Sequence, residues 1–147
     1  MNIHIASDHA GFEMKEILKK YLIETEHTVT DHGAFTYDAL DDYPDFIIPC
    51  ATAVADDIDS FGIILGGSGQ GEQITANKLD GIRAIEYYGG DLDIVKLGRE
   101  HNDANILSLG ARFITNDESI QAVQTFLDTP FSGDDRHVRR IEKINEL

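Results

Sequence analysis

The sequence has one cysteine, no tryptophan and no apolar run that approaches the length needed to cross a membrane. A single cysteine excludes an intrachain disulfide, and the apolar neighbours of Cys50 predict a small buried thiol rather than a nucleophile. The first residues, Met-Asn-Ile-His-Ile, lack the basic flank and long apolar core of a signal peptide. We therefore expect a cytoplasmic protein that folds without a disulfide or a structural metal.

Positive charge is scarce, with 12 Lys and Arg residues against 27 Asp and Glu residues and a formal net charge of −15. Such a field repels nucleic acid and anionic membrane surfaces, so we expect neither as a partner. Arg136, Arg139 and Arg140 nevertheless lie within five residues of one another. On a helix, Arg136 and Arg140 would share one face and could bind a phosphate, although a solvated charged face is the alternative interpretation.

Short apolar segments alternate with longer amphipathic ones, and no repeat or linker divides the chain, so we expect a single domain over residues 1–147. The predicted strands are Asn2–Ser7, Thr28–Asp31, Phe61–Leu65, Ile82–Glu86 and Asn105–Leu109. The predicted helices are Gly11–Glu24, Pro44–Asp57, Gly71–Leu79, Asp91–Glu100, Asp117–Leu127 and Asp134–Glu146.

This alternation predicts an α/β fold of three layers, Rossmann-like or flavodoxin-like, with a five-stranded parallel sheet in the order 2-1-3-4-5. In that order the ligand crevice opens between strands one and three. Polar motifs follow both strands, namely Ser7-Asp8-His9-Ala10-Gly11 and Gly66-Gly67-Ser68-Gly69-Gln70-Gly71-Glu72. Because the two motifs face one another across the crevice, we expect Asp8 and His9 to have a functional role beyond capping a helix.

The glycine-rich segment 66–72 is suited to holding negative charge, because its backbone N–H groups can turn towards an anion at a helix N-terminus. A dinucleotide loop is one interpretation, but Glu72 stands where the third glycine belongs, and only Glu86 at the end of the next strand supports it. A Walker loop would require a Lys-Ser/Thr ending that is absent.

The third interpretation is an oxyanion cradle in which Glu72 removes a carbon-bound proton. Spacing alone favours a simpler role for Glu72, which is complementing the helix dipole. Spacing alone likewise predicts that Ser68 is a turn residue that bonds to its own backbone. Its hydroxyl is a candidate substrate contact only because the loop lies at the predicted crevice.

Other polar residues have plain interpretations when they are considered singly. His101 lies at a predicted helix end, where it could complement the dipole or move a proton near neutral pH. No cluster of Cys, His and carboxylate residues has the spacing of a zinc or calcium site, so we predict no metal. The acidic residues of segment 38–45 are interpreted as a solvated loop, with Tyr43 lining the site.

Six segments, taken in order, resemble the type B ribose-5-phosphate isomerases, a family that includes galactose-6-phosphate and allose-6-phosphate isomerases. They are the two motifs above together with Asp42-Tyr43-Pro44-Asp45, Ala76-Asn77-Lys78, Arg99-Glu100-His101-Asn102 and Arg136-His137-Val138-Arg139-Arg140. The resemblance implies interconversion of D-ribose 5-phosphate and D-ribulose 5-phosphate through a cis-enediolate. It also implies an enzyme without metal or cofactor, which acts as a homodimer with sites between its subunits.

The resemblance further implies a role for each site residue. Many members have a cysteine base where this chain has Gly66, and a second branch uses the glutamate that matches Glu72, with the residue matching Ser68 near the reacting carbons. Asp8 and His101 correspond to the ring-opening pair, and Asn102 to a hydroxyl contact. The anion hole corresponds to Gly67, Gly69, Gln70 and Gly71, and the phosphate ligands to His9, Arg112, Arg136 and Arg140.

Two alternatives stay open at this point. One is isomerisation of a hexose 6-phosphate or a free sugar, since segment 87–96 is slightly longer than the family pattern and could alter substrate choice. The other is a non-catalytic module that binds a nucleotide or phosphate on the same fold, because fold alone does not determine function.

Overall fold

The computed structural model describes all 147 residues, and each predicted strand and helix forms, with some ends displaced by one to three residues. The strands are β1 (Asn2–Ser7), β2 (Thr28–Asp31), β3 (Ser60–Gly66), β4 (Ala84–Tyr87) and β5 (Ile106–Gly110). The helices are α1 (Phe12–Glu24), α2 (Pro44–Asp56), α3 (Gln70–Ala76), α4 (Asp93–Asn102), α5 (Asn116–Asp128) and α6 (Asp135–Asn145). None of these helices combines the length and the apolar character that crossing a bilayer requires.

The five strands form one parallel sheet in the order β2-β1-β3-β5-β4. The predicted parallel α/β sheet is confirmed, but the predicted order of its last two strands is wrong. Strand β5 is buried along its whole length, and its small and apolar residues are typical of an internal strand. Strand β4 includes the half-buried Glu86 and occupies the edge. Residues that follow β5 therefore lie beside those that follow β3.

The two faces of the sheet are covered by separate apolar layers. Helices α1, α4 and α5 cover one face, where Ile5, Leu18 and Phe126 are fully buried. Helices α2 and α3 cover the other, where Cys50 packs among apolar side chains. Burial raises the pKa of the Cys50 thiol, which confirms it as a core residue rather than a nucleophile.

A buried ion pair joins α1 to the end of β2. The Lys15 side chain is 0% exposed, and its Nζ donates to both carboxylate oxygens of Asp31, at 2.7 and 2.8 Å. Lys19 Nζ donates to the same carboxylate at 2.9 Å. Burial by itself raises the pKa of Asp31, but the hydrogen bonds from the two lysines outweigh this effect and hold the pKa below its usual value. The pair thus attaches α1 to the edge strand β2.

Replacing Asp31 by Asn should leave the buried Lys15 ammonium with only the more exposed Glu16 carboxylate, 3.2 Å away, as a compensating charge. Removing one partner of a buried pair typically costs about 3–5 kcal/mol, and because Glu16 remains, the free energy of unfolding in urea should fall by about 2–3 kcal/mol. Asp59→Asn, at an exposed position before β3, is the matched control and should change stability by no more than about 0.5 kcal/mol. A similar, small loss in both variants would contradict the prediction.

Candidate active site

The glycine-rich loop lies at the carboxyl end of β3 and leads into α3. Gly69 has a φ of +84°, and its carbonyl oxygen accepts a hydrogen bond from Ser108 Oγ at 2.7 Å. A Cβ at Gly69 would lie 3.0 Å from the backbone of Leu109, so both the torsion and the close approach to β5 require glycine. Ser68 Oγ accepts a hydrogen bond from the backbone N–H of Gln70 at 3.3 Å. This is the local turn bond that its sequence position predicts.

Glu72 lies in the first turn of α3 and is only 4% exposed. Its carboxylate occupies the space that a side chain at Gly66 would take, because a Cβ built there would overlap the carboxylate oxygens. Burial raises the pKa of Glu72, and the negative charges of Asp8 and Glu86 raise it further, against the lowering effect of its own backbone N–H. A buried carboxylate with a raised pKa is suited to general-base chemistry rather than only to complementing the helix dipole.

Asp8 and His9 follow β1 and lie next to the glycine loop. Asp8 Oδ1 accepts hydrogen bonds from the backbone N–H groups of Ala10 and Gly11, at 2.9 and 3.2 Å. A Cβ at Gly11 would be 2.6 Å from the Leu65 Cβ, so the start of α1 packs directly against the end of β3. The two polar motifs are thereby brought to one edge of the sheet.

His9 is held by Asp41, which contradicts the interpretation of segment 38–45 as wholly solvated. Asp41 Oδ1 accepts hydrogen bonds from His9 Nδ1 at 2.7 Å and from the His9 backbone N–H at 3.1 Å, and the Asp41 side chain is only 8% exposed. Ligand atoms of Asp8, His9 and Asp41 lie within 4.8 Å of one another, the spacing of a possible cation site. The hydrogen bonds to His9 already account for this closeness.

Two further side chains border the glycine loop. The Arg112 backbone N–H donates to the Gly67 carbonyl at 3.0 Å, and its guanidinium lies over Gly67, where a Cβ would be 3.2 Å from Nη1. The ring of Tyr43 lies against Gly71, where a Cβ would be 2.6 Å from Cζ, so Tyr43 does line this region as predicted. We call the residues gathered here the carboxyl-edge cluster: Asp8, His9, segment 67–71, Glu72 and Arg112.

The remaining predicted site residues lie at the opposite edge of the sheet. His101 and Asn102 end α4 just before β5 begins, and the Asn102 carbonyl accepts a hydrogen bond from Arg83 Nε, at the start of β4, at 3.0 Å. Arg136 and Arg140 are exposed on α6, which packs against the end of α4. We call His101, Asn102, Arg136 and Arg140 the amino-edge cluster.

One chain does not bring the two clusters together. Strand β3 has seven residues and spans the sheet between the two edges. At about 3.3 Å per residue this separates the edges by roughly 20 Å. A small substrate that touched both clusters would therefore need a second copy of the chain.

His137 belongs with the amino-edge cluster but was not among the predicted site residues. Its ring stacks on that of His101, with centroids 4.3 Å apart and planes inclined by 15°. Burial lowers the pKa of His137, as do the positive charges of Arg136 and Arg140, so this ring favours the neutral form. In the sequence, the only feature that points to His137 is its position between Arg136 and Arg139.

The observed strand order also bears on the dinucleotide interpretation. Glu86 lies on β4, which β5 separates from the glycine loop of β3. A ribose-binding acid is expected on a strand next to the one that carries the loop, so this interpretation loses its supporting residue.

The close approach of Gly66 and Glu72 predicts a specific energetic coupling. Gly66 does not have a positive φ, so alanine fits its backbone, and Gly66→Ala should cost about 1–3 kcal/mol through overlap with the Glu72 carboxylate. In a Glu72→Ala background the cost should largely disappear, as urea unfolding of the four proteins would measure. Gly67→Ala is the control, since the atoms nearest to its Cβ all belong to Arg112 and its effect should not depend on residue 72. Equal costs of Gly66→Ala in both backgrounds would contradict this packing.

Comparisons with known proteins agree on one family. The family model described as Ribose/Galactose Isomerase matches residues 3–144. The ribose-5-phosphate isomerase B of Mycolicibacterium paratuberculosis is 45% identical over 146 residues, which cover 99% of this chain and 91% of the relative. The protein of the same name from Mycobacterium tuberculosis is 43% identical over 146 residues, covering 99% of this chain and 89% of the relative.

Solved structures show the same similarity. Ribose-5-phosphate isomerase B from Mycoplasma genitalium, with bound ribulose 5-phosphate, matches with a TM-score of 0.93 and 40% identity, covering 99% of this chain and 94% of the other. The corresponding protein from Thermotoga maritima matches with a TM-score of 0.92 and 44% identity, covering 99% and 98% of the two chains.

Proposed function

The chain belongs to the ribose/galactose isomerase family, and we propose that it interconverts D-ribose 5-phosphate and D-ribulose 5-phosphate, a step of the pentose phosphate pathway. The similarity to isomerases of type B extends over nearly the whole chain, and one similar structure holds ribulose 5-phosphate. The observation that carries the proposal here is the buried carboxylate of Glu72, placed over Gly66 beside the glycine loop. Residues 1–147 would act as one isomerase domain.

In the proposed reaction, Glu72 is the base that moves a proton between two carbons. It removes the proton from C2 of the open-chain aldose, the electrons form a C1–C2 double bond, and the negative charge passes to O1. O1 then gains a proton while the hydroxyl on C2 loses one, a transfer that Ser68 could relay. As the C2 carbonyl forms, the protonated Glu72 delivers its proton to C1 to give the ketose. The raised pKa of Glu72 supports both halves of this transfer. A carboxylate whose pKa is closer to neutral is a stronger base, and it is also more readily protonated. No metal or cofactor is needed to balance these steps.

The glycine loop would stabilise the negative oxygen of the enediolate. Backbone N–H groups of segment 67–71 lie at the start of α3, where the first amides of a helix have no partner within it. A preorganised donor of this kind can contribute about 3 kcal/mol to the stability of an oxyanion. In this proposal Ser68, half-buried in the same loop, exchanges a proton with the substrate hydroxyls.

Ring opening and phosphate binding would require both clusters. Asp8 belongs to the carboxyl-edge cluster, whereas its proposed partner His101 belongs to the amino-edge cluster. Arg112 and His9 are likewise at one edge, and Arg136 and Arg140 at the other. We therefore propose a homodimer in which each site joins the carboxyl-edge cluster of one copy to the amino-edge cluster of the other. The arginines would clamp the phosphate and Asn102 would bind a sugar hydroxyl.

The reaction can be followed by proton NMR of ribose 5-phosphate in D2O with protein treated with EDTA. We expect ribulose 5-phosphate to form as the C2 proton signal is lost, and Glu72→Gln to lower kcat by about 10²- to 10⁴-fold while inorganic phosphate still binds. Glu13→Gln, at an exposed position in the first turn of α1, is the matched control and should retain normal turnover. Conversion of only six-carbon phosphates or free sugars would refute the pentose assignment, and near-normal turnover by Glu72→Gln would refute the assigned base.

The shared site predicts complementation between two inactive variants. Glu72→Gln damages the carboxyl-edge cluster, and His101→Asn damages the amino-edge cluster. In a heterodimer of the two, one site receives both changes and the other receives neither, so purified heterodimers should recover roughly half of the wild-type activity. Two affinity tags allow the heterodimer to be isolated after co-expression. If each site were built from one chain, the heterodimer would be as inactive as its parents.

A further inference from the structure

The loop between β2 and α2 holds the imidazole of His9 on two sides. Asp41 accepts hydrogen bonds from both the backbone N–H and Nδ1 of His9, and Tyr37 meets the His9 ring edge to face, with centroids 6.2 Å apart at 87°. The His9 side chain is 24% exposed, whereas that of Asp41 is 8% exposed. The carboxylate is therefore largely withdrawn from solvent, and the ring it holds remains accessible.

We propose that Asp41 is a positioning residue for phosphate binding, which fixes His9 so that Nδ1 is committed to the loop and Nε2 is left for the substrate phosphate. This inference rests on the proposed function for its ligand. Nδ1 of His9 is bound to Asp41, whereas His9 Nε2 has no partner among the protein groups, so Nε2 is the nitrogen that can reach a bound anion. A single oxygen of Asp41 accepts both His9 donors, which fixes the ring relative to the backbone.

The chemistry of a phosphate ligand explains why a carboxylate is needed at residue 41. A histidine that donates Nε2–H to phosphate while Nδ1–H is already donated elsewhere must be an imidazolium, because a neutral ring has only one N–H. The Asp41 carboxylate accepts that proton's hydrogen bond at 2.7 Å and, with the more distant Asp8 carboxylate 3.8 Å from Nδ1, balances the charge. An amide in its place can accept the bond through its oxygen but supplies no charge, so Asp41→Asn separates the charge of Asp41 from its shape.

A purely structural role for Asp41 would lead to different results. If the carboxylate only attached the loop to β1, its loss would lower stability without acting specifically through the His9 ring. The neighbouring Asp38 offers a matched comparison, because it lies exposed in the same loop and accepts a local bond from the Leu40 backbone N–H at 3.0 Å. Asp38→Asn removes the same charge from the same loop but does not touch His9.

The experiment compares Asp41→Asn, His9→Asn, the double variant and Asp38→Asn in the full-length protein. Asp41→Asn should raise the KM for ribose 5-phosphate and the dissociation constant of inorganic phosphate roughly tenfold, with kcat changed by less than about twofold. The double variant should bind no more weakly than His9→Asn alone, since Asp41 acts through that ring. Asp38→Asn should bind phosphate as the wild type does.

A spectroscopic measurement adds a result that loop stability would not affect. Nitrogen-15 NMR of the histidine rings at alkaline pH should show His9 protonated at Nδ1 in the wild type and redistributed towards Nε2 in Asp41→Ala, which removes the acceptor altogether. A lower kcat with unchanged phosphate affinity, independent losses in the double variant, or an unchanged His9 tautomer in Asp41→Ala would each overturn the proposal.

Failure of this inference can be distinguished from failure of the proposed function. The binding of inorganic phosphate and the tautomer of His9 are measured without turnover. If the wild-type protein isomerised no sugar phosphate but Asp41→Asn still lost phosphate binding through His9, the positioning role would hold and the isomerase proposal would fall. If isomerisation was normal and both Asp41→Asn and His9→Asn bound phosphate as the wild type does, only the proposed role of Asp41 would be refuted.

Discussion

The common direction of the five strands is the constraint on which the rest of the site depends. Because all strands are parallel, every loop that follows a strand lies at one edge of the sheet and every loop that follows a helix lies at the other. Asp8, Glu72 and Arg112 meet at the first edge although they are distant in sequence. His101 and the arginines of α6 are held at the second edge by the same rule, which makes a second copy of the chain part of the proposed chemistry.

Close packing around the glycine loop leaves room for one side chain at the place where we propose that the base acts. The Glu72 carboxylate occupies the space beside Gly66, so a side chain at residue 66 and a carboxylate at residue 72 compete for one place. A cysteine at 66 and a glutamate at 72 would be alternative ways to bring a proton acceptor to that place. Burial and the nearby carboxylates of Asp8 and Glu86 then raise the pKa of Glu72, so the packing also sets its basicity.

Two of the carboxylates of this acidic protein have specific structural partners. Asp31 neutralises the buried Lys15 and attaches α1 to the sheet, while Asp41 holds His9 beside the crevice. Among the six arginines, Arg112 at one edge and the arginines of α6 at the other lie in the two places where we propose that phosphate is bound. A net charge of −15 is compatible with an anionic substrate because the arginines act at short range, where local hydrogen bonds outweigh the distant field.

The sequence by itself determined the positions of all strands and helices, the parallel α/β class, the buried Cys50 and the glycine loop, because periodicity and glycine content report local burial and backbone torsion. Only the tertiary structure decided that β5 lies between β3 and β4, that the acidic Asp41 is withdrawn from solvent, and that His137 stacks on His101. These features arise from contacts between residues far apart in the chain, such as the 32 positions that separate His9 from Asp41. Local patterns do not specify which distant groups meet, since that depends on how the packed layers bring chain segments together.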